Sequence, residues 1–200
     1  MNDACRLVLL RHGLSTVGHH LLLGHSDYPL SAGGRAAMQR SLTQIVQIGP
    51  VDAVISSPLQ RCASFAQEAA AQLGLTCQTD PAWAEINFGD WDGQPLDTLQ
   101  QHPSWTPWRK DPSCFTPHGA ESYLAFRQRI KTATEQCRQP GRRLLLVSHA
   151  GVARALLADL LNLDWSQAGQ LALSPAGWLE FSLLPAHPAY LLHLQQGTPT

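Results

Sequence analysis

Apolar residues gather in short runs along the chain, and polar loops separate one run from the next. The unbroken runs are typical of strands that a parallel sheet buries on both faces. Such strands are predicted at 6–10, 51–55 and 142–148, with a shorter one at 75–79. Near the end of the chain, apolar and polar residues alternate as in antiparallel or edge strands at 171–173, 177–184 and 190–194.

Helices are predicted between these strands, and capping residues mark several of their ends. The predicted helices cover residues 35–48, 59–73, 119–138 and 151–161, with a short one at 96–101. Ser31 is expected to cap the first helix. In the second, Ser57 is the expected N-cap and Pro58 the first helical residue, and Gly74 is expected to end the helix.

The order of these elements predicts the fold class. Strands and helices alternate as in an α/β protein, here a three-layer αβα sandwich around a mostly parallel central sheet. Residues 80–119, rich in Pro, Trp and polar side chains, are expected to form an inserted, lid-like subregion. The chain, 1–200, is then a single domain, and its ligands are expected beyond the carboxyl ends of the strands.

Composition narrows the classes of partner. Of the 200 residues, 44% are hydrophobic and 14% are charged, and the formal net charge is −1. This balance excludes a disordered chain and leaves no general attraction for nucleic acid or anionic membranes. The apolar runs are too short to span a membrane and the first residues do not resemble a signal peptide, so a cytoplasmic location is expected. Five scattered cysteines favour reduced thiols there.

Polar clusters follow three of the predicted strands. The first contains Arg11 and His12, the second ends in Arg61, and the third contains His149. Because ligands of such sheets bind beyond the carboxyl ends of the strands, these side chains are expected to converge there, near the N-termini of two helices. Guanidinium groups, imidazoles and the unpaired backbone N–H groups of helix starts together form a site for an anion.

Four motifs, in order along the chain, resemble those of the histidine phosphatase superfamily, which is phosphoglycerate-mutase-like. They are Arg-His-Gly at 11–13, Ser-Ser-Pro-Leu-Gln-Arg at 56–61, a lone Glu85, and Ser-His-Ala-Gly at 148–151. The resemblance covers about residues 5–185. Finer features, at 87–93, 117–122 and 177–178, are similar to the α-ribazole phosphatases of cobalamin synthesis.

The resemblance implies a role for each of these residues. His12 would be the nucleophile and carry a phosphohistidine, and Glu85 would protonate the leaving group. The catalytic set is completed by Arg11, Arg61 and His149, which would hold the phosphate oxygens. The implied contacts to the substrate come from Arg11, Ser15, Gly24, Arg61, His149 and Ala150. No metal and no other cofactor is implied, because Arg and His supply the positive charge.

One loop departs from the family pattern, and some roles have rivals. Leu14 and Gly18 stand where many members carry a Glu and a phosphate-binding Asn. Three acidic residues in or near the insertion are rivals of Glu85: Asp90, Asp92 and Glu121. Three histidines form an alternative metal site that their spacing disfavours: His19, His20 and His25. Four arginines are expected on solvated faces: Arg127, Arg129, Arg142 and Arg143.

The expected function is metal-independent hydrolysis of a small phosphomonoester, with α-ribazole 5′-phosphate as the expected substrate, by a monomer or homodimer. Alternatives are a phosphoglycerate mutase-like enzyme, a broad-specificity sugar phosphate phosphatase, or a non-catalytic module that binds phosphorylated ligands. A second acidic group on the substrate would need basic residues, and 78–113 offers only His102, Arg109 and Lys110. Aromatic residues of the insertion, such as Trp91 or Trp108, could instead stack on a flat base.

Overall fold

A six-stranded sheet forms the centre of the computed structural model, which describes residues 4–185 and 187–197. Its strands are β1 (Cys5–Arg11), β2 (Ala53–Ser56), β3 (Cys77–Thr79), β4 (Arg143–Ser148), β5 (Trp178–Leu183) and β6 (Tyr190–Gln195). They lie in the order β3-β2-β4-β1-β5-β6. The strands from β3 to β1 are parallel neighbours, whereas β5 pairs antiparallel with both β1 and β6. The sheet is therefore mostly parallel, as predicted.

Helices cover both faces of this sheet. Those within the described residues are α1 (Ala32–Ile48), α2 (Gln60–Leu73), α3 (Leu96–Gln100), α4 (Trp105–Lys110), α5 (Tyr123–Gln136), α6 (Ala150–Leu160) and α7 (Trp165–Ala168). Single 3-10 turns lie at Pro81–Trp83, Gly89–Trp91 and Pro112–Cys114. None of the helices in the described part of the chain combines the length and the apolar character that a membrane span requires.

The central strand β1 shows why the sheet needs a layer on each face. Leu7 and Leu9 belong to the core that contains residues of α5 and α6, whereas Val8 and Leu10 belong to the core that contains residues of α1 and α2. All four side chains are fully buried. A strand buried on both faces needs an apolar side chain at every position, which explains its unbroken apolar run. The two helical layers give the predicted three-layer αβα sandwich.

The start of α2 differs from the prediction. The helix begins at Gln60 with Leu59 as its N-cap, so Ser57 and Pro58 lie before it. The Asp27 side chain takes over the capping role from a distant loop, because its Oδ1 accepts the Gln60 N–H at 2.6 Å. Two other caps are confirmed: Ser31 accepts the N–H of a residue in the first turn of α1, and the glycine after α2 has a φ of +67°.

Some predicted elements are shorter than expected or absent. Residues 171–173 form no strand; Leu171 and Leu173 line a cavity instead. The helix predicted from residue 119 begins at Tyr123 with Ser122 as its cap. Gly119 has a φ of +71°, which a helix does not allow. The short helices α4 and α7 lie where no helix is predicted.

The inserted residues 80–119 follow β3, contain α3 and α4, and share a core with the sheet. The Trp91 ring lies 5.7 Å from that of Trp108 and 5.8 Å from that of Trp105. All three rings are buried in the core on the α5 side of the sheet. The aromatic side chains of the insertion thus build mainly their own interior. The role of the insertion as a lid stays a prediction.

Candidate active site

A cavity of about 420 Å³ opens beyond the carboxyl end of β1 and beside the first turn of α6, where the polar clusters are predicted to meet. Three parts of the chain form its inner end: the loop after β1, the segment around residue 85, and the start of α6. The polar side chains and small residues that line it there are Arg11, His12, Ser15, Glu85, Ala150 and Gly151. The fold thus brings together motifs that are far apart in the sequence.

His12 follows β1 directly, and the neighbouring backbone fixes its ring. Its Nδ1 lies 2.8 Å from the carbonyl oxygen of Gly13. Because a carbonyl oxygen only accepts, Nδ1 carries the hydrogen of the neutral ring, and Nε2 keeps a free lone pair. Burial lowers the pKa of His12 well below its usual value, and the charges of Arg61 and Arg11 lower it further. His12 is therefore a neutral imidazole with one nitrogen available as a nucleophile.

His149 follows β4 and stands beside His12. Its ring is fully buried, and its centroid lies 5.2 Å from that of His12 in an edge-to-face arrangement. Its Nε2 lies 2.7 Å from Oγ of Ser57, the residue expected to cap α2. Burial and the charge of Arg61 lower the pKa of His149 well below its usual value. His149 is thus a second neutral imidazole, next to the nucleophile but not among the residues that line the cavity.

Arg11 lines the cavity, and Arg61 lies close behind it. The Nη1 of Arg11 donates to the carbonyl oxygen of Leu173. Burial lowers the pKa of Arg11, and the negative charge of Glu85 opposes this effect. The Nε atoms of Arg11 and Arg61 are both buried and have no acceptor among the described residues. Buried donors normally have partners, so the two unpaired N–H groups are consistent with a bound anion as their acceptor.

Arg61 is fully buried in the first turn of α2 and is held by a loop. Its Nη1 donates to the carbonyl oxygen of Ser26 at 2.8 Å, and its Nη2 to that of Gly24 at 2.7 Å. Asp92 fixes the loop in turn, because its carboxylate accepts the N–H groups of Gly24 and Ser26 at 2.8 and 2.7 Å. Asp92 is thereby committed to the loop. Gly24 lies outside the cavity lining, and its contact with substrate stays a prediction.

Glu85 projects its carboxyl group into the cavity opposite the start of α6. The side chain is buried, Oε1 accepts the N–H of Ile86, and Oε2 accepts the N–H of Gly151, each at 3.0 Å. Burial raises the pKa of Glu85, against the lowering effect of these two N–H groups and of the nearby arginines. A Cβ at Gly151 would lie 2.2 Å from Oε1, so only glycine allows this approach.

The segment that carries Glu85 is held by Arg129 of α5. Its Nη1 donates to the carbonyl oxygens of Ala82 and Ala84 at 2.8 Å, and its Nη2 to that of Glu85 at 3.0 Å. Oε1 of Glu121 lies 2.6 Å from the same Nη2. The expectation that Arg129 lies on a solvated face is therefore wrong, and it is wrong for Arg143 as well, whose side chain is buried against Glu180. Glu121 pairs with Arg129 and does not line the cavity.

Ser15 and the residues after it form the rim of the inner cavity. The Ser15 hydroxyl is buried and lies 3.4 Å from the carbonyl oxygen of Gly18. Gly18, which stands near the position of the family's Asn, has a φ of +71°, a conformation that favours glycine. Ala150 lines the cavity as the first residue of α6.

Two of the three histidines of the alternative metal site lie in different surroundings. His19 lines the cavity, whereas Nε2 of His25 lies 3.0 Å from the carbonyl oxygen of Glu85. Within residues 4–185 and 187–197, no group of three or more His, Cys, Asp or Glu side chains is arranged to hold a metal ion.

The outer part of the cavity is aromatic and basic. Trp108 of α4 and Trp165 of α7 line it, whereas Trp91 does not. Arg109 and Arg154 line it as well; Arg109 is one of the basic residues noted in the insertion, whereas Arg154 is a site residue that the motifs do not include. The sequence does contain a signal for Arg154. It lies three residues after Gly151, and residues at this spacing share one face of a helix.

Comparison with known proteins finds relatives whose similarity extends over most of the chain. The family model described as histidine phosphatase superfamily (branch 1) matches residues 7–194. Glucosyl-3-phosphoglycerate phosphatase of Mycobacterium tuberculosis is 30% identical over 199 residues, which cover 90% of this chain and 86% of the relative. Adenosylcobalamin/α-ribazole phosphatase of Escherichia coli is 30% identical over 163 residues, which cover 79% of this chain and 80% of the relative.

Solved structures share the fold at comparable length. The native structure of a mycobacterial glucosyl-3-phosphoglycerate phosphatase superposes with a TM-score of 0.83 at 25% sequence identity. The superposition covers 96% of this chain and 99% of that one. The six-stranded sheet and its helical layers are therefore those of these relatives.

Proposed function

Because this chain belongs to the histidine phosphatase superfamily and is a phosphatase, we propose that it hydrolyses phosphate monoesters through a phosphohistidine on His12. The observation that carries the proposal is the orientation of the His12 ring. Its Nδ1–H is held by the Gly13 carbonyl oxygen, so the lone pair of Nε2 is the free nucleophile of a neutral imidazole.

In the first step, Nε2 of His12 attacks phosphorus and the bond from phosphorus to the ester oxygen breaks. Glu85 donates its proton to the departing alkoxide, which leaves as the alcohol. The raised pKa of Glu85 supports this role, and a phosphate dianion beside it would raise that pKa further. The products of the step are phosphohistidine, the free alcohol and an ionised Glu85.

In the second step, water replaces the alcohol. The Glu85 carboxylate takes a proton from the water, and the oxygen attacks phosphorus as the bond to Nε2 of His12 breaks. Inorganic phosphate is released, His12 is again neutral and Glu85 is again protonated. Arg11 and Arg61 supply the positive charge that both transition states require, with His149 beside them, so the reaction as proposed needs no metal ion.

Two substrate classes fit the outer cavity. The aromatic walls at Trp108 and Trp165 favour a flat ring, as in α-ribazole 5′-phosphate, and one relative is named for that activity. The basic residues Arg109 and Arg154 favour a monoester with a second acidic group, and another relative is named for a phosphoglycerate ester. Comparing kcat/KM for α-ribazole 5′-phosphate and 3-phosphoglycerate separates the two classes.

The proposal also includes the partners, the oligomeric state and the cellular location of the enzyme. A small-molecule substrate, no nucleic-acid partner, and a monomer or homodimer are proposed. A cytoplasmic location is supported by the described cysteines, all five of which are free thiols.

Trapping the covalent intermediate tests the mechanism. The protein is mixed with a ³²P-labelled aryl phosphate, quenched in alkali after milliseconds, and assayed for protein-bound label that acid removes. Wild type is expected to carry the label, and His12→Asn is expected to lose both label and turnover. His20→Asn, a nearby histidine outside the cavity, serves as the matched control. Normal turnover by His12→Asn, or turnover without any labelled protein, would contradict the phosphohistidine.

A further inference from the structure

The two arginines of the outer cavity differ from most arginines of the fold in having no acidic partner. Arg109 projects from α4 and Arg154 from α6, and both line the cavity. Within the described residues, neither forms an ion pair with a carboxylate. Arg127 and Arg129, on the neighbouring helix α5, pair with Asp159 and with Glu121.

The Arg154 side chain is held in one orientation. Its Nε and Nη2 donate to the carbonyl oxygen of Trp165 at 2.8 and 2.6 Å, and the guanidinium lies 4.0 Å from the centroid of the Trp165 ring. A Cβ at Gly169 would lie 2.5 Å from Nη2, so the backbone of this glycine closes the other side. Nη1 has no hydrogen-bond partner among the described residues. A planar donor fixed in this way is prepared for a carboxylate or phosphate.

Arg109 brings a second positive charge to the same part of the cavity. Its backbone carbonyl oxygen accepts a hydrogen bond from Nη2 of Arg154 at 3.4 Å, and its guanidinium lies 5.7 Å from the centroid of the Trp105 ring. Burial lowers the pKa of Arg154 to about 10, and repulsion by Arg109 adds to the effect. Arg154 is still charged at neutral pH, so an anion bound beside it and Arg109 would relieve this repulsion.

The distribution of acidic and basic side chains along the cavity also favours an anionic group at its outer end. Glu85 is the one acidic side chain among the described residues that line it, and it lies at the inner end beside Arg11. At the outer end, no carboxylate of the described residues forms an ion pair with either arginine, while Leu157 and Trp108 provide apolar surface alongside. A ligand with phosphate at one end, an apolar middle and an acidic group at the other end matches this distribution.

We propose that Arg154 and Arg109 bind a carboxylate at the far end of the substrate, which makes the preferred substrate a phosphomonoester of a hydroxy acid. This inference rests on the proposed phosphatase reaction and adds the class of alcohol that is released. Phosphate is held at the inner end by Arg11 and Arg61, and the carboxylate is held at the outer end.

A matched substrate series tests the assignment. One set consists of ω-carboxyalkyl phosphates of increasing chain length, and the other of ω-hydroxyalkyl phosphates of the same lengths. The readout is the ratio of kcat/KM for each pair, with p-nitrophenyl phosphate as a reference for the chemical step. Wild type is expected to favour the carboxylate at the chain length that spans the cavity, by roughly 10- to 100-fold, the scale of one hydrogen-bonded ion pair.

Three variants locate the effect. Arg154→Gln and Arg109→Gln are each expected to lower the ratio about 10-fold or more, mainly through a higher KM for the carboxylate, since a charged hydrogen bond is lost. Arg154→Lys is expected to keep part of the preference. The matched control is Lys110→Gln, which removes a charge from the same helix as Arg109 but from a side chain outside the cavity lining; its ratio is expected to stay within about twofold of wild type.

The outcomes separate this inference from the phosphatase reaction itself. Equal kcat/KM on both sets by wild type, or equal losses on both sets in Arg154→Gln and Arg109→Gln, overturns the carboxylate site while the reaction stands. Absence of turnover and of labelled protein with p-nitrophenyl phosphate would refute the reaction instead. If Arg154→Gln does not fold because its contacts to Trp165 are lost, the exposed side chain of Arg109 still decides the question.

Discussion

The proposed role of Glu85 is to protonate the leaving group, and the pKa of the leaving group determines whether that proton is needed. Alkoxides of high pKa need a proton as they depart, whereas p-nitrophenolate does not. Glu85→Gln is therefore expected to lower kcat for alkyl phosphates by ~10²–10⁴-fold, the usual contribution of a general acid, and to lower kcat for p-nitrophenyl phosphate far less. A plot of log kcat against leaving-group pKa measures the difference.

The pH profile gives a second measurement on the same variant. The acid must be protonated, so wild-type activity on alkyl phosphates should fall as the pH rises through the raised pKa of Glu85, and this fall should be missing in Glu85→Gln. Asp90→Asn is the control, since Asp90 is an exposed neighbour that pairs with His118. Equal losses on both kinds of substrate would remove the acid role from Glu85.

Single residues were predictable where a motif stands at the end of a strand. His12 and Arg11 follow an unbroken apolar run, and the fold places them at the cavity as the sequence indicates. Arg129 carries no such signal, because it lies inside a helix whose neighbours are known only from the folded structure, and Arg154 is linked to the site only by its spacing from Gly151. Ser57 shows the same limit: a serine before a helix predicts a cap, yet its hydroxyl meets His149.

At the scale of elements, α5 holds the segment that carries Glu85, the proposed acid, through Arg129. One guanidinium bridges three carbonyl oxygens of residues 82–85, so its loss frees the segment that carries Glu85. Arg129→Gln is expected to lower kcat for alkyl phosphates by roughly 10- to 100-fold, because misplacing a catalytic group by about 1 Å has that effect. KM and the rate on p-nitrophenyl phosphate should change much less, and steady-state kinetics on both substrates measure the contrast.

A neighbouring arginine on the same helix provides the control for that experiment. Arg127→Gln removes a guanidinium that pairs with Asp159 and has no bond to the Glu85 segment. The same small change in both variants would mean that Arg129 serves α5 generally and not the acid. A loss of stability without a change in leaving-group dependence would lead to the same conclusion.

The sequence predicts helices and strands well where the apolar pattern is strong. It predicts them poorly where contacts with a distant part of the chain determine whether an element forms or where it begins. β1 and β4 are predicted to within one residue because their burial on both faces demands unbroken apolar runs. Residues 171–173 share an apolar pattern with edge strands, but Leu171 and Leu173 are used to line the cavity. The start of α2 is set by Asp27, a cap that lies 33 residues away.

At the scale of the whole molecule, a buried ionic cluster lies between the middle of the sheet and the end remote from the cavity. Glu180 of β5 is fully buried, and both of its carboxylate oxygens accept from Arg143 at 3.0 and 3.1 Å. Arg6 also donates to Glu180, at 3.3 Å. Arg143 begins β4, and the strand runs about 17 Å from there to the residues before His149, at ~3.3 Å per residue.

Neutralising Glu180 should therefore affect stability and leave the chemistry intact. Glu180→Gln leaves the buried Arg143 unpaired and is expected to lower the free energy of unfolding by about 3–5 kcal/mol. Urea denaturation measures this change, and kcat/KM per folded molecule should match wild type. Glu68→Gln, which breaks an exposed pair with Arg35, is the control and should cost less than about 1 kcal/mol. A similar small cost in both variants would contradict the argument.

The class of the sheet follows from the sequence, but the order of its strands does not. Alternating strands and helices predict a parallel sheet, and the apolar runs identify which strands are buried on both faces. The pairing of β1 with β5 joins residues that are far apart along the chain, for example Cys5 opposite Leu183. No local pattern contains that information.

This pairing has a consequence for how the protein forms during synthesis. β1 is synthesised before its two neighbours in the sheet, β4 and β5, so Arg6 cannot pair with Arg143, nor Cys5 with Leu183, until those strands are made. Contacts between such distant parts of a chain form slowly, and an unpaired apolar strand favours aggregation in the meantime. The growing chain thus carries every motif residue before β5 is available to complete the sheet that brings them together.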